Sequence, residues 1–297
     1  MFTGCGTALV TPFRQDFSLD EAALRRLVRR QIEAGIDFLV PCGTTGENPT
    51  LQRAEHLRVV EITLDEAQGK VPVVAGAGGY NTAEVIELAR EVEAVGANGI
   101  LSVTPYYNKP SQEGLYQHYK AIAAAVRLPI IVYSVQGRTG VNVEPSTFRR
   151  LAEIDNIVGV KEASGNIAQI SAIVAQTPAR FHVLSGDDML ALPAIAVGGR
   201  GLISTTSNEI PAEMARLVRC CLENDFAAAR ELQKRYLPLM EVNFVESNPM
   251  PVKAAMALMG LLEPVWRLPM LAPKPENLAR IEKVLESLGL LHAHAAS

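Results

Sequence analysis

Eight short apolar runs rich in β-branched residues recur at fairly even intervals over the first two hundred or so residues of the chain. They occupy residues 5–10, 38–41, 71–75, 99–103, 129–133, 157–161, 182–185 and 201–204. Each is almost continuously hydrophobic, as strands of a parallel sheet are when both of their faces are buried. Longer amphipathic segments separate the runs. Eight strands alternating with helices over about 225 residues predict the α/β fold class, as a closed (β/α)8 TIM barrel.

The segments between the runs have the periodicity and the end signals of helices. The clearest helical patterns cover residues 20–34, 53–67, 82–95 and 113–126. Asp20 and Thr82 are predicted as N-caps, and Gly35, Gly69 and Gly96 follow the expected helix ends.

The alternation stops after the eighth run, and only helical patterns follow it. They cover residues 211–223, 226–239, 251–261 and 275–288. The first of them completes the barrel, so the chain divides into a barrel at 1–224 and a C-terminal helical extension at 225–297.

An open, doubly wound sheet is the alternative fold. Such a sheet usually opens with a glycine-rich phosphate turn after its first strand, whereas residues 11–13 read TPF here. The glycine-rich segment 76–79 (GAGG) follows the third run, but no acidic ribose ligand follows it at the expected distance.

Composition excludes several classes of function. The 28 Lys and Arg balance 32 Asp and Glu for a net charge of −4, which gives no electrostatic footprint for nucleic acid or an anionic membrane. No stretch approaches the roughly 20 apolar residues of a membrane span, and the N-terminus does not resemble a signal peptide. The four cysteines include no Cys-x-x-Cys pair and are expected to be structural residues in a reducing compartment, the cytoplasm, with Cys5 and Cys42 as small buried thiols. The tail histidines His292 and His294 are interpreted as part of a frayed terminus rather than a metal site.

Polar residues cluster where the predicted strands end, which is where TIM barrels place their chemistry. The segment 43–47 (GTTGE) can present backbone N–H groups and hydroxyls to an anion, although it is equally compatible with an ordinary turn. Tyr106 and Tyr107 follow the fourth run and could serve packing, an interface or proton transfer. Arg138 follows the fifth run, where it is either a solvated surface group or a carboxylate ligand.

Lys161 is the most informative residue, because it ends an apolar run that is predicted to be buried. Burial disfavours the charged form of an amine and so favours the uncharged nucleophile that attacks a carbonyl to form a Schiff base. A tyrosine on a neighbouring strand could carry the protons that imine formation requires. A surface lysine with its amine in solvent is the other interpretation.

Seven motifs, taken together and in this order, resemble one known family. They lie at 43–47 (GTTGE), 106–110 (YYNKP), 133–140 (YSVQGRTG), 160–165 (VKEASG), 184–188 (LSGDD), 201–204 (GLIS) and 246–249 (ESNP). The chain resembles the 4-hydroxy-tetrahydrodipicolinate synthases (dihydrodipicolinate synthases) of the N-acetylneuraminate lyase superfamily of class I pyruvate aldolases. The resemblance extends over essentially the whole chain.

The resemblance implies a reaction and a set of residues that perform it. Pyruvate would condense with L-aspartate 4-semialdehyde in the first committed step toward diaminopimelate and lysine, without a metal or organic cofactor. Lys161 would form the imine. By the same resemblance, the hydroxyl relay and the substrate-binding residues would be Tyr133, Thr44, Tyr107, Thr45, Arg138, Gly186 and Ile203. Tyr107 would come from a neighbouring subunit of a homotetramer built as a dimer of dimers.

The resemblance also raises two questions about this chain. The family usually has a proline in the loop before Arg138, where Gln136 and Gly137 stand here, so the loop is expected to be looser and the second substrate to bind less tightly. His56, Glu84 and Tyr106 match positions that hold lysine in feedback-inhibited members, while the bulk of Tyr80 could obstruct that site.

Two rival functions share some of these features. An N-acetylneuraminate lyase or a 2-keto-3-deoxy sugar-acid aldolase would use the same lysine and tyrosine, so Lys161 does not discriminate; Arg138 and Tyr107 favour the synthase. A barrel that binds a keto acid without catalysis would have no need to retain Lys161, Tyr133, Thr44 and Tyr107 together.

Overall fold

The computed structural model describes residues 2–291, and its strands follow the predicted order. The strands are β1 (Gly4–Ala8), β2 (Phe38–Val40), β3 (Val74–Gly76), β4 (Gly99–Val103), β5 (Ile130–Ser134), β6 (Ile157–Glu162), β7 (His182–Ser185) and β8 (Gly201–Ser204). All paired strands are parallel, in the order β2-β1-β8-β7-β6-β5-β4-β3. A parallel bridge between Leu39 and Val73 joins the two ends of the sheet. The prediction of a TIM barrel is confirmed.

Helices connect the strands and cover the outside of the barrel. They are α1 (Glu21–Glu33), α2 (Arg53–Ala67), α3 (Thr82–Ala94), α4 (Gln112–Ala125), α5 (Gln136–Thr139), α6 (Pro145–Leu151), α7 (Ile167–Gln176), α8 (Ala191–Ala196) and α9 (Pro211–Leu222). Three further helices follow: α10 (Phe226–Val242), α11 (Met250–Leu258) and α12 (Pro275–Leu288). The division into residues 1–224 and 225–297 stays a prediction. In the structure, α10 packs directly on α8 and α9.

The strands are buried on both faces, and alternate side chains enter two different cores. Phe38 and Val40 of β2 belong to a cluster that fills the barrel, together with Leu184 and Ile203. Leu39, between them in sequence, belongs to the larger cluster under the helices. This double burial explains why each strand is a nearly continuous apolar run in the sequence.

The helix ends confirm most of the predicted signals and correct one. Asp20 caps α1 by accepting a hydrogen bond from the Ala23 N–H at 2.9 Å. The prediction that Thr82 caps α3 is wrong, because the cap is Asn81, whose side chain accepts from a backbone N–H. Asparagine is the better cap, and the Thr82 hydroxyl lies 2.8 Å from the ring of His118 instead.

Glycines follow the ends of α1, α2 and α3, as the sequence predicts. Gly35, Gly69 and Gly96 have φ angles of +81°, +71° and +94°, a region that favours glycine at helix C-termini. The chain can therefore turn sharply from each of these helices toward the next strand.

Two ion pairs join the C-terminal extension to the top of the barrel. Lys253 of α11 bonds Glu47 at 2.5 Å, and both side chains are fully buried. Arg267 binds Glu55 of α2 through two guanidinium nitrogens at 2.5 and 2.7 Å. The extension is therefore fixed against the loop that follows β2.

Two further expectations concern the cysteines and membrane-spanning segments. The four cysteines are free thiols, three of them buried, and Cys220 is partly exposed. In residues 2–291, none of the helices has the length and apolar character that crossing a membrane requires. The histidines of the tail, His292 and His294, lie outside the described residues.

Candidate active site

Lys161 lies at the C-terminal end of β6 and points into the barrel. Its register partners are Tyr133 on β5 and Leu184 on β7, both members of the interior cluster. The side chain is only 5% exposed, and its amine lies 4.3 Å from the centre of the Tyr133 ring. The lysine is therefore buried beside a tyrosine, and the interpretation of Lys161 as a solvated surface lysine does not hold.

Gly186 makes room for the lysine side chain. A Cβ on Gly186 would lie 3.1 Å from both Cγ and Cε of Lys161 and 2.8 Å from Cβ of Ala163. A side chain at this position would displace Lys161 or Ala163. Ile203 lies nearby in the barrel interior on β8.

A cavity opens above Lys161 and brings five of the predicted site residues together. It occupies about 660 Å³ and is open to solvent. The predicted residues that line it are Thr45, Tyr133, Arg138, Lys161 and Gly186. The other lining residues are Val135, Ala163, Asp187, Thr205, Phe244 and Asn248.

A second cavity lies on the other side of Tyr133. Thr44 and Tyr106 line it, and it shares Tyr133, Val135 and Arg138 with the cavity above Lys161. The two neighbouring threonines of the 43–47 turn thus face different spaces, and Tyr133 lies between those spaces.

The turn that carries both threonines is shaped by its backbone. Glu47 has a φ of +53°, and its N–H donates to the Thr44 carbonyl at 3.1 Å. Thr45 is 2% exposed, and its hydroxyl accepts a hydrogen bond from the Asn248 amide at 2.9 Å. The buried pairing of Glu47 with Lys253 holds the turn from below.

Arg138 lies on the short helix α5, and Asn248 positions it. The guanidinium donates a hydrogen bond to the backbone carbonyl of Asn248 at 3.1 Å. Asn248 thus contacts both Arg138 and Thr45, although no pattern in the sequence assigns it a role. The family resemblance of residues 246–249 includes Asn248 but does not indicate which residues it contacts.

A hydrogen-bonded bridge, also missed from the sequence, supports the loop after Arg138. Gln169 of α7 exchanges two amide hydrogen bonds with Asn142, at 2.8 and 3.1 Å. The same Gln169 amide donates to the buried carboxylate of Glu162 at 2.8 Å. Burial raises the pKa of Glu162, although hydrogen bonds from Ser164 and Gln169 oppose the shift. The Arg138 loop is therefore tied to the strand that carries Lys161.

Tyr107 is not brought into the cavity by its own chain. Its side chain is 88% exposed, whereas that of Tyr106, the residue before it, is 37% exposed. Tyr106 packs edge-on against Tyr80 with 5.0 Å between ring centres. An exposed tyrosine in this loop is available for contact with another molecule.

A third, more polar pocket contains the residues of the predicted feedback site. It is lined by His56, Glu84, Tyr106 and Tyr80. Asn48 lines both this pocket and the second cavity, the one that Thr44 lines. Desolvation lowers the pKa of His56 to about 4, and its ring lies 2.8 Å from the Asn48 amide oxygen. Tyr80 lines the pocket, which together with the solvent at its mouth has a volume of about 750 Å³.

A metal site would need several His, Cys, Asp or Glu side chains close together. Between residues 2 and 291, His, Cys, Asp and Glu side chains do not gather in groups of three or more that could hold a metal ion.

The chain is similar to known proteins along almost its whole length. The model of the dihydrodipicolinate synthetase family matches residues 1–288. The 4-hydroxy-tetrahydrodipicolinate synthase of Koribacter versatilis is 57% identical over 289 residues, covering 97% of this chain and 96% of that protein. The dihydrodipicolinate synthase structure from Aquifex aeolicus has a TM-score of 0.96 and 43% identity, covering 98% of this chain and 100% of that one. A structure described as a monomeric dihydrodipicolinate synthase variant also has a TM-score of 0.96, with 44% identity and 98% of each chain covered.

Proposed function

The chain belongs to the dihydrodipicolinate synthetase family, and from that membership we propose that it condenses pyruvate with L-aspartate 4-semialdehyde. The product is 4-hydroxy-tetrahydrodipicolinate, in the first committed step of diaminopimelate and lysine biosynthesis. The enzyme is a lyase of the Schiff-base aldolase type.

The observation that carries this proposal is the burial of Lys161 under the Tyr133 ring at the end of β6. The uncharged form of an amine is the nucleophile that attacks the ketone carbon of pyruvate. Loss of water from the resulting adduct gives an imine. Because the protonated imine withdraws electrons from the neighbouring methyl group, it forms the enamine without another electron sink.

Hydroxyl groups around the lysine serve the proton transfers. In this mechanism Tyr133, Thr44 and Tyr107 form the relay, which moves protons without placing a fixed charge beside the amine. The enamine carbon then attacks the aldehyde of the second substrate. The amino group of that substrate closes the ring at the former ketone carbon and releases Lys161.

The remaining predicted residues hold the two substrates. Thr45 and the backbone of its turn bind the pyruvate carboxylate. Arg138 binds the carboxylate of the semialdehyde, since a guanidinium matches a carboxylate with two parallel hydrogen bonds. Gly186 and Ile203 shape the site through their backbone carbonyls.

The experiment that tests the function is reductive trapping followed by turnover. Incubation with pyruvate and borohydride should add the mass of one reduced pyruvate to a peptide containing Lys161. Lys161→Ala should abolish the adduct and lower kcat by several orders of magnitude, whereas Lys70→Ala, at an exposed lysine, should change neither. An adduct on another peptide would refute the assignment.

The alternative is another Schiff-base pyruvate aldolase, an N-acetylneuraminate lyase or a 2-keto-3-deoxy sugar-acid aldolase. The comparisons do not favour it, since they give synthases as the similar proteins. Parallel assays of pyruvate with L-aspartate 4-semialdehyde and with N-acetylmannosamine separate the two functions. We expect turnover with the semialdehyde alone.

A homotetramer, built as a dimer of dimers in the cytoplasm, is the assembly that goes with this function. The exposure of Tyr107 supports its contribution to a neighbouring subunit, although one similar structure is described as monomeric. Sedimentation of the wild-type enzyme tests the assembly. A fully active monomer would exclude a role for the partner's tyrosine.

Feedback inhibition by L-lysine would act at the pocket of His56, Glu84 and Tyr106. The Glu84 carboxylate suits an ammonium group, and the pocket remains open beside Tyr80. Calorimetric titration with L-lysine tests the site. Absence of heat at millimolar lysine would rule it out, and Tyr80→Asn would then show whether the tyrosine is the obstruction.

A further inference from the structure

Asp187 follows Gly186 at the end of β7 and lines the cavity above Lys161. Within the described chain, it is the one residue lining this cavity that carries a carboxyl group. The mechanism above gives it no task. The same cavity is lined by the Lys161 amine and the Arg138 guanidinium.

The Asp187 carboxylate is only partly used by the protein. Its Oδ1 accepts a hydrogen bond from the Met189 N–H at 2.9 Å, and the Leu190 N–H also lies near the carboxylate, so Asp187 caps the short 3-10 turn at Asp188–Leu190. None of the ion pairs formed by residues 2–291 includes it. The side chain is partly exposed, and its burial raises its pKa. A positively charged partner in the cavity would offset this cost of desolvation.

The next residue, Asp188, shows what a structural carboxylate looks like at the same place in the chain. It is 1% exposed and accepts hydrogen bonds from the Ser204 hydroxyl and from the N–H groups of Thr205 and Thr206. Its oxygens are occupied by the protein, away from solvent. The two adjacent aspartates therefore have different roles.

The second substrate carries two charges that the site has to bind. L-Aspartate 4-semialdehyde is an amino acid with a carboxylate and an ammonium group on the same carbon, and Arg138 accounts for the carboxylate. We propose that the Asp187 carboxylate binds the α-ammonium group of the semialdehyde, and so selects amino-acid aldehydes over aldehydes that lack the amine. This inference rests on the proposed function.

The test replaces Asp187 with asparagine, which keeps an oxygen for the Met189 N–H but removes the negative charge. A charge-assisted hydrogen bond is lost, so the KM for L-aspartate 4-semialdehyde should rise roughly 10- to 100-fold. Succinic semialdehyde has the same aldehyde and carboxylate without the amine, and its inhibition constant should not change. Asp225→Asn is the matched control, because Asp225 caps α10 through the Ala228 N–H at 3.0 Å and does not line the cavity.

The outcomes separate the two proposals. If the wild-type enzyme shows no turnover and forms no trapped pyruvate adduct, the proposed function itself is overturned. An active wild type whose Asp187→Asn variant keeps its KM overturns the role of Asp187 alone. An equal rise in the KM of the semialdehyde and the inhibition constant of succinic semialdehyde also overturns it, since a general distortion of the site would affect both compounds.

Discussion

Replacing Lys253 with methionine should destabilise the whole protein, because it leaves a charge in the interior. Lys253 and Glu47 are both fully buried, with 2.5 Å between nitrogen and oxygen. Methionine has a similar volume and no charge, so packing changes little. Glu47 would keep its contact with the Arg267 N–H at 3.3 Å, but it would lose the cation that pairs directly with its carboxylate.

The expected magnitude follows from the geometry of the pair. Coulomb's law gives about 7 kcal/mol of attraction at 2.5 Å for an effective dielectric constant of about 20. The desolvation of both ions offsets part of this attraction. Losing one partner should therefore lower the free energy of unfolding by about 3–5 kcal/mol. The double variant Glu47→Gln/Lys253→Met leaves no buried charge in the pair and should recover most of that loss.

Urea unfolding at pH 7, followed by circular dichroism, measures these differences. The pair between Arg58 and Glu21 is the control, since its side chains are 44% and 40% exposed, and Arg58→Met should cost at most about 1 kcal/mol. A loss below about 1 kcal/mol for Lys253→Met, or a double variant as unstable as the single one, would refute the reasoning.

Three further predictions concern the Arg138 loop and the buried His118. Gly137→Ala should stabilise the protein by about 0.4–1 kcal/mol and lower the KM for the semialdehyde, because Gly137 lies in a helical turn with open space where a Cβ would stand. An unchanged KM in steady-state assays would contradict the idea of a loosened loop. Gln169→Ala removes the hydrogen bond to Glu162 and should raise the KM for the semialdehyde several-fold, with the KM for pyruvate unchanged. The control Gln117→Ala loses a surface hydrogen bond and should change neither KM. Equal effects of Gln169→Ala on both substrates would count against a positioning role. Desolvation lowers the pKa of His118 to about 4, so the unfolded chain takes up the proton first as the pH falls below about 6.5. Between pH 6.5 and 4, the free energy of unfolding of the wild type should therefore fall by up to about 3 kcal/mol more than that of His118→Gln. Urea unfolding at several pH values measures the difference, and an equal pH dependence of both proteins would exclude it.

The sequence predicts the barrel because the relevant patterns are local. Each strand is an apolar run of a few residues, and each of the first helices begins or ends near a capping residue or a glycine. Lys161 is recognisable for the same reason, since it directly follows the apolar run of β6. The error at the start of α3, where Thr82 is predicted in place of Asn81, is a choice between adjacent residues that can both cap a helix.

The site depends on contacts between distant parts of the chain, which local patterns do not encode. Asn248 reaches Thr45 across 203 residues and Arg138 across 110 residues, and Glu47 meets Lys253 across 206. Which hydrogen-bonding groups face one another depends on the path of the extension over the barrel.

The two adjacent aspartates after β7 illustrate the division between sequence and structure. Both are acidic residues at a strand end, and the sequence identifies them as such. Only the fold turns Asp188 into the interior, where backbone N–H groups bind it, and leaves Asp187 at the cavity. Hydrophobic periodicity determines which segments become strands and helices, whereas the role of a polar side chain depends on the groups that folding brings within hydrogen-bonding distance.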